Sequence, residues 1–161
     1  MDLPLIQQHQ RLMKKALDLA GQAYEEDEIP VGAVVVHRGQ IIGKGYNQVE
    51  RLKDATAHAE MLAISAACST LDQKFLEQCT LYVTLEPCPM CAGALVWSRV
   101  GQLVFGAPDS KAGACGTLMN LVQHEKLNHK IEVIQGILEN ESEMLLQDYF
   151  KKKRHKNNGS R

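Results

Sequence analysis

The chain has 161 residues, 45% of them hydrophobic, which is enough apolar material for one ordinary domain whose core needs no disulfide staples. Five cysteines, an odd number, with no basic-then-apolar leader at the start, read as thiols in a reducing compartment, so the expected setting is the cytoplasm. The formal net charge of −1 points to no anionic partner by itself, and no apolar run approaches a bilayer span, so no membrane partner is expected.

Leu5, His9, Leu12, Met13, Ala16, Leu17, Ala20, Ala23 and Tyr24 fall at helical spacing and predict an amphipathic helix over residues 5–25, with Asp2 to Pro4 as its start. Val31 to His37 is a β-branched run, Arg38-Gly39 a turn signal, and Ile41 to Asn47 a second run, together a hairpin whose first strand is apolar enough for burial on both faces. After a polar loop, Ala57 to Ala67 predicts a helix, Leu81 to Leu85 a buried strand, and Pro89 to Ser98 a second helix of that kind. Leu103 to Phe105 and Ile131 to Gln135 read as strands on either side of a loop that is Gly-rich from Pro108 to Gly116, and Glu141 to Lys153 closes with a helix.

That order predicts a three-layer α/β/α sandwich around a mixed sheet of about five strands, the last of them parallel because crossovers join them. One domain is expected over residues 1–154, followed by a disordered basic tail over 155–161. Lys151, Lys152, Lys153, Arg154, Lys156 and Arg161 supply six of the 18 cations, leaving the first 150 residues with 12 cations against 19 acids, a formal −7. Such a chain end reads equally as a solvated, frayed helix end whose lysines suit the negative end of the helix dipole and as an arm that meets phosphate.

The residues that carry chemistry are His58 and Glu60, in Thr-Ala-His-Ala-Glu, and Cys88 and Cys91, in Glu-Pro-Cys-Pro-Met-Cys. A lone His-x-Glu is common by chance, and a lone Cys-x-x-Cys serves redox chemistry, half of a structural zinc site or plain burial. In combination they are restrictive. One imidazole and two thiolates suit Zn²⁺, and three protein ligands leave the fourth tetrahedral position to water, the arrangement of catalytic sites. Cys88 and Cys91 stand three apart at the start of a predicted helix, on one face, with Pro89 in the first turn where its missing N–H is no loss. His58 and Glu60 stand only two apart, so they share a site only if a helix N-terminus points into it; Thr56 is the candidate N-cap. Glu60, not itself a ligand, then suits a proton shuttle between water, a ring nitrogen and departing ammonia, which is hydrolytic deamination.

These motifs are the signature of the cytidine-deaminase-like superfamily, and the blocks Ile29 to Val36, Gly45 to Asn47, Thr56 to Glu60, Leu81 to Ala94, Val104 to Ala107 and Asp109 to Ala114 resemble those of bacterial tRNA adenosine deaminases. The resemblance implies one zinc ion per subunit on His58, Cys88 and Cys91, Glu60 as the proton shuttle, and Asn47 at the edge of the purine. It implies as substrate the wobble adenosine of a tRNA anticodon stem-loop, converted to inosine by a homodimer, with Asp109, Lys111, Asp148 and Phe150 near the RNA. Ala55, where proline often precedes the threonine, and Cys115, where a small residue is usual, depart from the pattern.

Two other readings compete. A deaminase of a free base such as guanine, cytosine or a pterin-like ring uses the same zinc triad but has no use for Lys111 or the basic chain end. A closed zinc module with Cys68, Cys79 or Cys115 as fourth ligand has no use for Glu60, and none of those cysteines lies in a Cys-x-x-Cys pair.

Overall fold

The computed structural model describes residues 1–159. Helix α1 (Leu3–Glu25) starts where Asp2 accepts the Leu5 N–H at 3.0 Å, satisfying one of the donors a helix start leaves free. Strands β1 (Gly32–His37) and β2 (Gln40–Tyr46) form the hairpin. Arg38 (φ 50°) and Gly39 (φ 77°) both take positive φ, the geometry of a tight turn whose twist matches that of the strands. Then follow α2 (Val49–Leu52), α3 (Ala59–Leu71), β3 (Cys79–Leu85), α4 (Pro89–Trp97), β4 (Gln102–Ala107), β5 (Glu132–Gln135) and α5 (Glu139–Asn158).

The sheet runs β2-β1-β3-β4-β5. The β1 strand is antiparallel to both β2 and β3, whereas β3–β4 and β4–β5 are parallel, as their crossovers require. The pleat divides the core. Val34, Val36, Tyr82 and Val104 point to the face covered by Leu12, Met13 and Ala16 of α1, with Leu138 packed beside them. Ala33, Val35, Leu81, Val83, Leu103 and Phe105 point to the other face, where Ala59, Ala63 and Ala67 of α3 and Ala92 and Leu95 of α4 cover them. The three-layer sandwich expected from the sequence is therefore present. No helix among the described residues is long and apolar enough to cross a membrane.

Two expectations are corrected. The polar loop after β2 contains the short helix α2, which forms because Glu28, 22 and 23 residues upstream, accepts the N–H groups of Glu50 (2.9 Å) and Arg51 (2.8 Å). Helix α5 continues past Lys153 to Asn158, so residues 155–158 extend the domain's last helix and are not a disordered tail. Lysine and arginine are good helix formers and cations suit a helix C-terminus, while Lys152 pairs with Asp148 and Lys153 donates to the Tyr149 hydroxyl, each one turn back. Ser160 and Arg161, the rest of the expected tail, lie outside the described residues.

Helix α3 touches the sheet through glycine. A Cβ at Gly45 would stand 2.3 Å from the Ala59 carbonyl oxygen, and one at Gly43 2.4 Å from that of Ala63. Gly45→Ala is therefore expected to lift the start of α3 off β2 and to cost roughly 1–3 kcal/mol by chemical denaturation. An unchanged denaturation midpoint would show that the helix has slack that this contact denies.

Candidate metal centre

Both chemical motifs lie at helix starts facing one point. His58 is itself the residue before α3, in extended conformation (φ −78°, ψ 153°), with Glu60 in the first turn; Cys88 holds the same place before α4 (φ −72°, ψ 173°), with Pro89 leading the first turn and Cys91 two residues on. Extended backbone at position 58 and helical backbone at position 60 remove the objection that residues two apart point to opposite sides. Thr56 is not the cap; it bonds Asp54 through its N–H (2.8 Å) and its hydroxyl (2.7 Å). The cap comes from afar, as the Asn47 side-chain oxygen accepts the Ala59 N–H at 2.9 Å.

His58 Nδ1 lies 3.6 Å from the Sγ atoms of both Cys88 and Cys91, and the three donor atoms all lie within 4.8 Å of one another, so they can hold a metal ion. The only such group among the described residues contains none of Cys68, Cys79 and Cys115, so a closed site with a fourth thiol gains no support. Cys91 hydrogen-bonds to Cys88 and, with His58, pulls the Cys88 thiol down to about 4; Cys91, sharing that proton and buried, is pushed up. His58 is raised, first by its hydrogen bond to Cys88, against the opposing effect of burial. A cation among them is the natural way to hold both sulfurs as thiolates.

Glu60 is 4% exposed. Burial pushes its carboxyl up to about 7, with His58 pulling the other way. It lines a cavity of about 360 Å³ together with His58, Cys88 and Asn47. Asn47 is fixed in orientation, since its oxygen takes the Ala59 N–H and its nitrogen gives one hydrogen to the Ile29 carbonyl at 3.1 Å. The second hydrogen on that nitrogen remains for a ligand.

Of the residues expected near RNA, Asp109 lines the same cavity, although its carboxylate is committed to the N–H groups of Lys111 (2.9 Å) and Ala112 (3.2 Å). Lys111 and Phe150 line a neighbouring groove of about 370 Å³ with Lys153 and Arg154. Phe150 is 41% exposed and packs edge-on against Tyr149, 5.4 Å between ring centroids. Asp148 is not brought to the cavity; it accepts a hydrogen bond from Tyr24 at 2.5 Å and pairs with Lys152 at 3.5 Å. Lys153, which the sequence offers only as one cation of the basic chain end, lines both cavity and groove; sequence reasoning missed two buried acids that line the cavity, Glu28 and Glu86. The last two carried a signal, an acid inside or beside a strongly apolar run.

Comparison with known proteins agrees with this geometry. The model of the MafB19-like deaminase family matches residues 7–154. The tRNA-specific adenosine deaminase of Bacillus subtilis (strain 168) is 50% identical over 154 residues, which is 96% of this chain and 96% of that protein. A solved structure from work on A-to-I editing by tRNA:A34 deaminases at the wobble position of transfer RNA superposes with a TM-score of 0.81 at 41% identity, covering 84% of this chain and 99% of that one. The guanine deaminase from Nitrosomonas europaea superposes with a TM-score of 0.74 at 32% identity, covering 87% and 83%.

Proposed function

The chain belongs to the MafB19-like deaminase family, and on that premise we propose that it converts the wobble adenosine of a tRNA anticodon to inosine by zinc-dependent hydrolytic deamination. The observation that carries the reading is a cluster of three metal donors, His58, Cys88 and Cys91, two of which, His58 and Cys88, line one cavity with the buried Glu60 carboxylate, in a chain that shares 50% identity with a tRNA-specific adenosine deaminase.

The donors fit zinc. Zn–N of about 2.0–2.1 Å and Zn–S of about 2.3 Å at tetrahedral angles require an N···S edge of about 3.6 Å, and both N···S distances are 3.6 Å. We assign His58, Cys88 and Cys91 as the ligands of one zinc ion per subunit. Zinc held there would activate a water as nucleophile near neutral pH. Glu60, with its carboxyl near 7, takes the proton of the attacking water and delivers it to the ring nitrogen beside the amino-bearing carbon; it then takes the proton of the newly added hydroxyl and passes it to the amino group, which leaves as ammonia as the carbonyl forms and the C–N bond breaks. Asn47 offers its free N–H to an acceptor on the purine edge. The apolar side chains of Ile29, Val31 and Leu85 line the cavity and offer an extruded base apolar contact.

Lys153 at the cavity and Lys111 and Arg154 in the groove beside it supply the cations that an RNA backbone needs, and the half-exposed Phe150 offers a face for an unpaired base. Asp109 serves by shaping the loop that carries Lys111, and Asp148 by tying α5 to α1 through Tyr24. We take the working unit to be a homodimer in the cytoplasm, in keeping with the resemblance to tRNA-modifying relatives and with five free thiols.

A second reading, deamination of a free purine, is favoured by the likeness to a guanine deaminase. The test is to incubate the zinc-loaded protein with an unmodified tRNA transcript carrying a wobble adenosine, beside free adenine, guanine, cytosine and their nucleosides, and to measure inosine and ammonia. Inosine at the wobble position alone is the expected result. Turnover of a free base with silent tRNA would discard the RNA assignment and keep the mechanism.

A further inference from the structure

Glu86 is 2% exposed and lines the same cavity as Glu60, yet its surroundings are of a different kind. Four donors converge on it. Its Oε1 accepts the Asp109 N–H at 3.1 Å and a very short bond from the Thr117 hydroxyl; its Oε2 accepts the Cys115 N–H at 3.0 Å and the Thr117 N–H at 3.1 Å. With these bonds made, its oxygens are committed to holding a loop and are poorly placed to relay protons. All four donors belong to residues 109–117, the segment that brings Asp109 and Ala112 to the cavity and Lys111 to the groove. The same loop is pinned once more where the Ala114 N–H bonds the Pro87 carbonyl at 2.9 Å, one residue from Cys88.

We propose that Glu86 is a positioning residue that acts through the 109–117 loop, clamping this lip of the cavity to the short link between β3 and α4 that carries Cys88 and thereby setting the affinity for substrate. This rests on the deaminase reading given above. The inference turns on the acceptor count. Glutamine matches glutamate in size but replaces one oxygen with a donor. With its nitrogen on the Oε2 side it would face the N–H groups of Cys115 and Thr117, and with its nitrogen on the Oε1 side it would face that of Asp109. In either orientation at least one N–H that is partly or fully buried loses its acceptor. An isosteric change thus releases the loop without touching a metal ligand or Glu60.

The experiment compares wild type with Glu86→Gln and with Thr117→Val, which removes only the hydroxyl donor, all zinc-loaded and acting on a tRNA anticodon stem-loop with a wobble adenosine. For Glu86→Gln the expected result is a KM raised about tenfold or more with kcat changed less than threefold, unaltered zinc content, and faster hydrogen exchange at the amides of Asp109, Cys115 and Thr117. Thr117→Val shifts KM in the same direction by a smaller factor. A merely structural role would lower the melting temperature and leave KM at 25 °C unmoved, and that outcome overturns the proposal, as does a loss confined to kcat. Should the wild type act on a free purine and not on RNA, the substrate assignment falls, and the same KM ratio read with that purine decides the role of Glu86.

Discussion

Glu60→Ala is expected to lower turnover by roughly 10³-fold or more while the protein keeps its zinc, since one side chain serves every proton transfer of the reaction and each such service is worth about 10²- to 10⁴-fold. Inosine release under single-turnover conditions, read beside zinc content, checks it; a wild-type rate with zinc retained would remove Glu60 from the mechanism. Glu60→Gln adds a stability readout. Burial pushes the folded carboxyl up to about 7 from an ordinary 4.5, so the stability it contributes is fully present below the unfolded value and is lost as pH rises through the folded one. The metal-free wild type is therefore expected to lose melting temperature relative to metal-free Glu60→Gln between about pH 4.5 and 7, by on the order of 5 °C. Parallel melting profiles would mean that Glu60 is not a strained acid. A residue that destabilises its own fold at working pH is one held there for its chemistry.

Stripping the metal is expected to abolish turnover completely and reversibly. A chelator should silence the enzyme, added Zn²⁺ should restore it, and Cys91→Ala should neither hold the ion nor recover. The fold should survive, with a lower melting temperature, because α3 and α4 are packed on the sheet by Ala59, Ala63, Ala92 and Leu95 and do not rely on the ion to meet. Turnover by chelated protein verified to be free of zinc would refute the zinc mechanism. Collapse to an unfolded chain would instead show that the ion supports the fold as well as the chemistry.

The layers, the strand order of types and the pairing of His58 with the Cys88 and Cys91 motif were legible because they rest on local patterns: β-branched runs, helical spacing, a proline at a helix start. What escaped lies in long-range hydrogen bonds. Thr56 is a good cap by type, but Asp54 captures it and Asn47, 12 residues before Ala59, takes its place. Helix α2 looks like loop in the sequence because the carboxylate that stabilises its start belongs to Glu28. The charge of the basic chain end conceals that Lys152 and Lys153 each find a partner one turn back on α5. For Asp148 the resemblance points to RNA, whereas its bonds lie within the fold: Tyr24 ties it to α1 and Lys152 pairs with it one turn on in α5.

The order of the strands also sets a sequence in time. The β1–β2 hairpin closes between near neighbours through Arg38 and Gly39, whereas β3 pairs with β1 across more than 40 residues, Val36 with Thr80, and β4 and β5 wait on separations such as Thr80 with Gln102 and Gln102 with Glu132. Long-range pairings of this kind are the slow steps of folding. His58 and Cys88 stand on opposite sides of β3 in the chain, so the two helix starts face each other only after that strand has docked between β1 and β4. The three donors therefore stand ready together late in folding, once the centre of the sheet is complete, and that is when a nascent chain is expected to hold the ion in its final place.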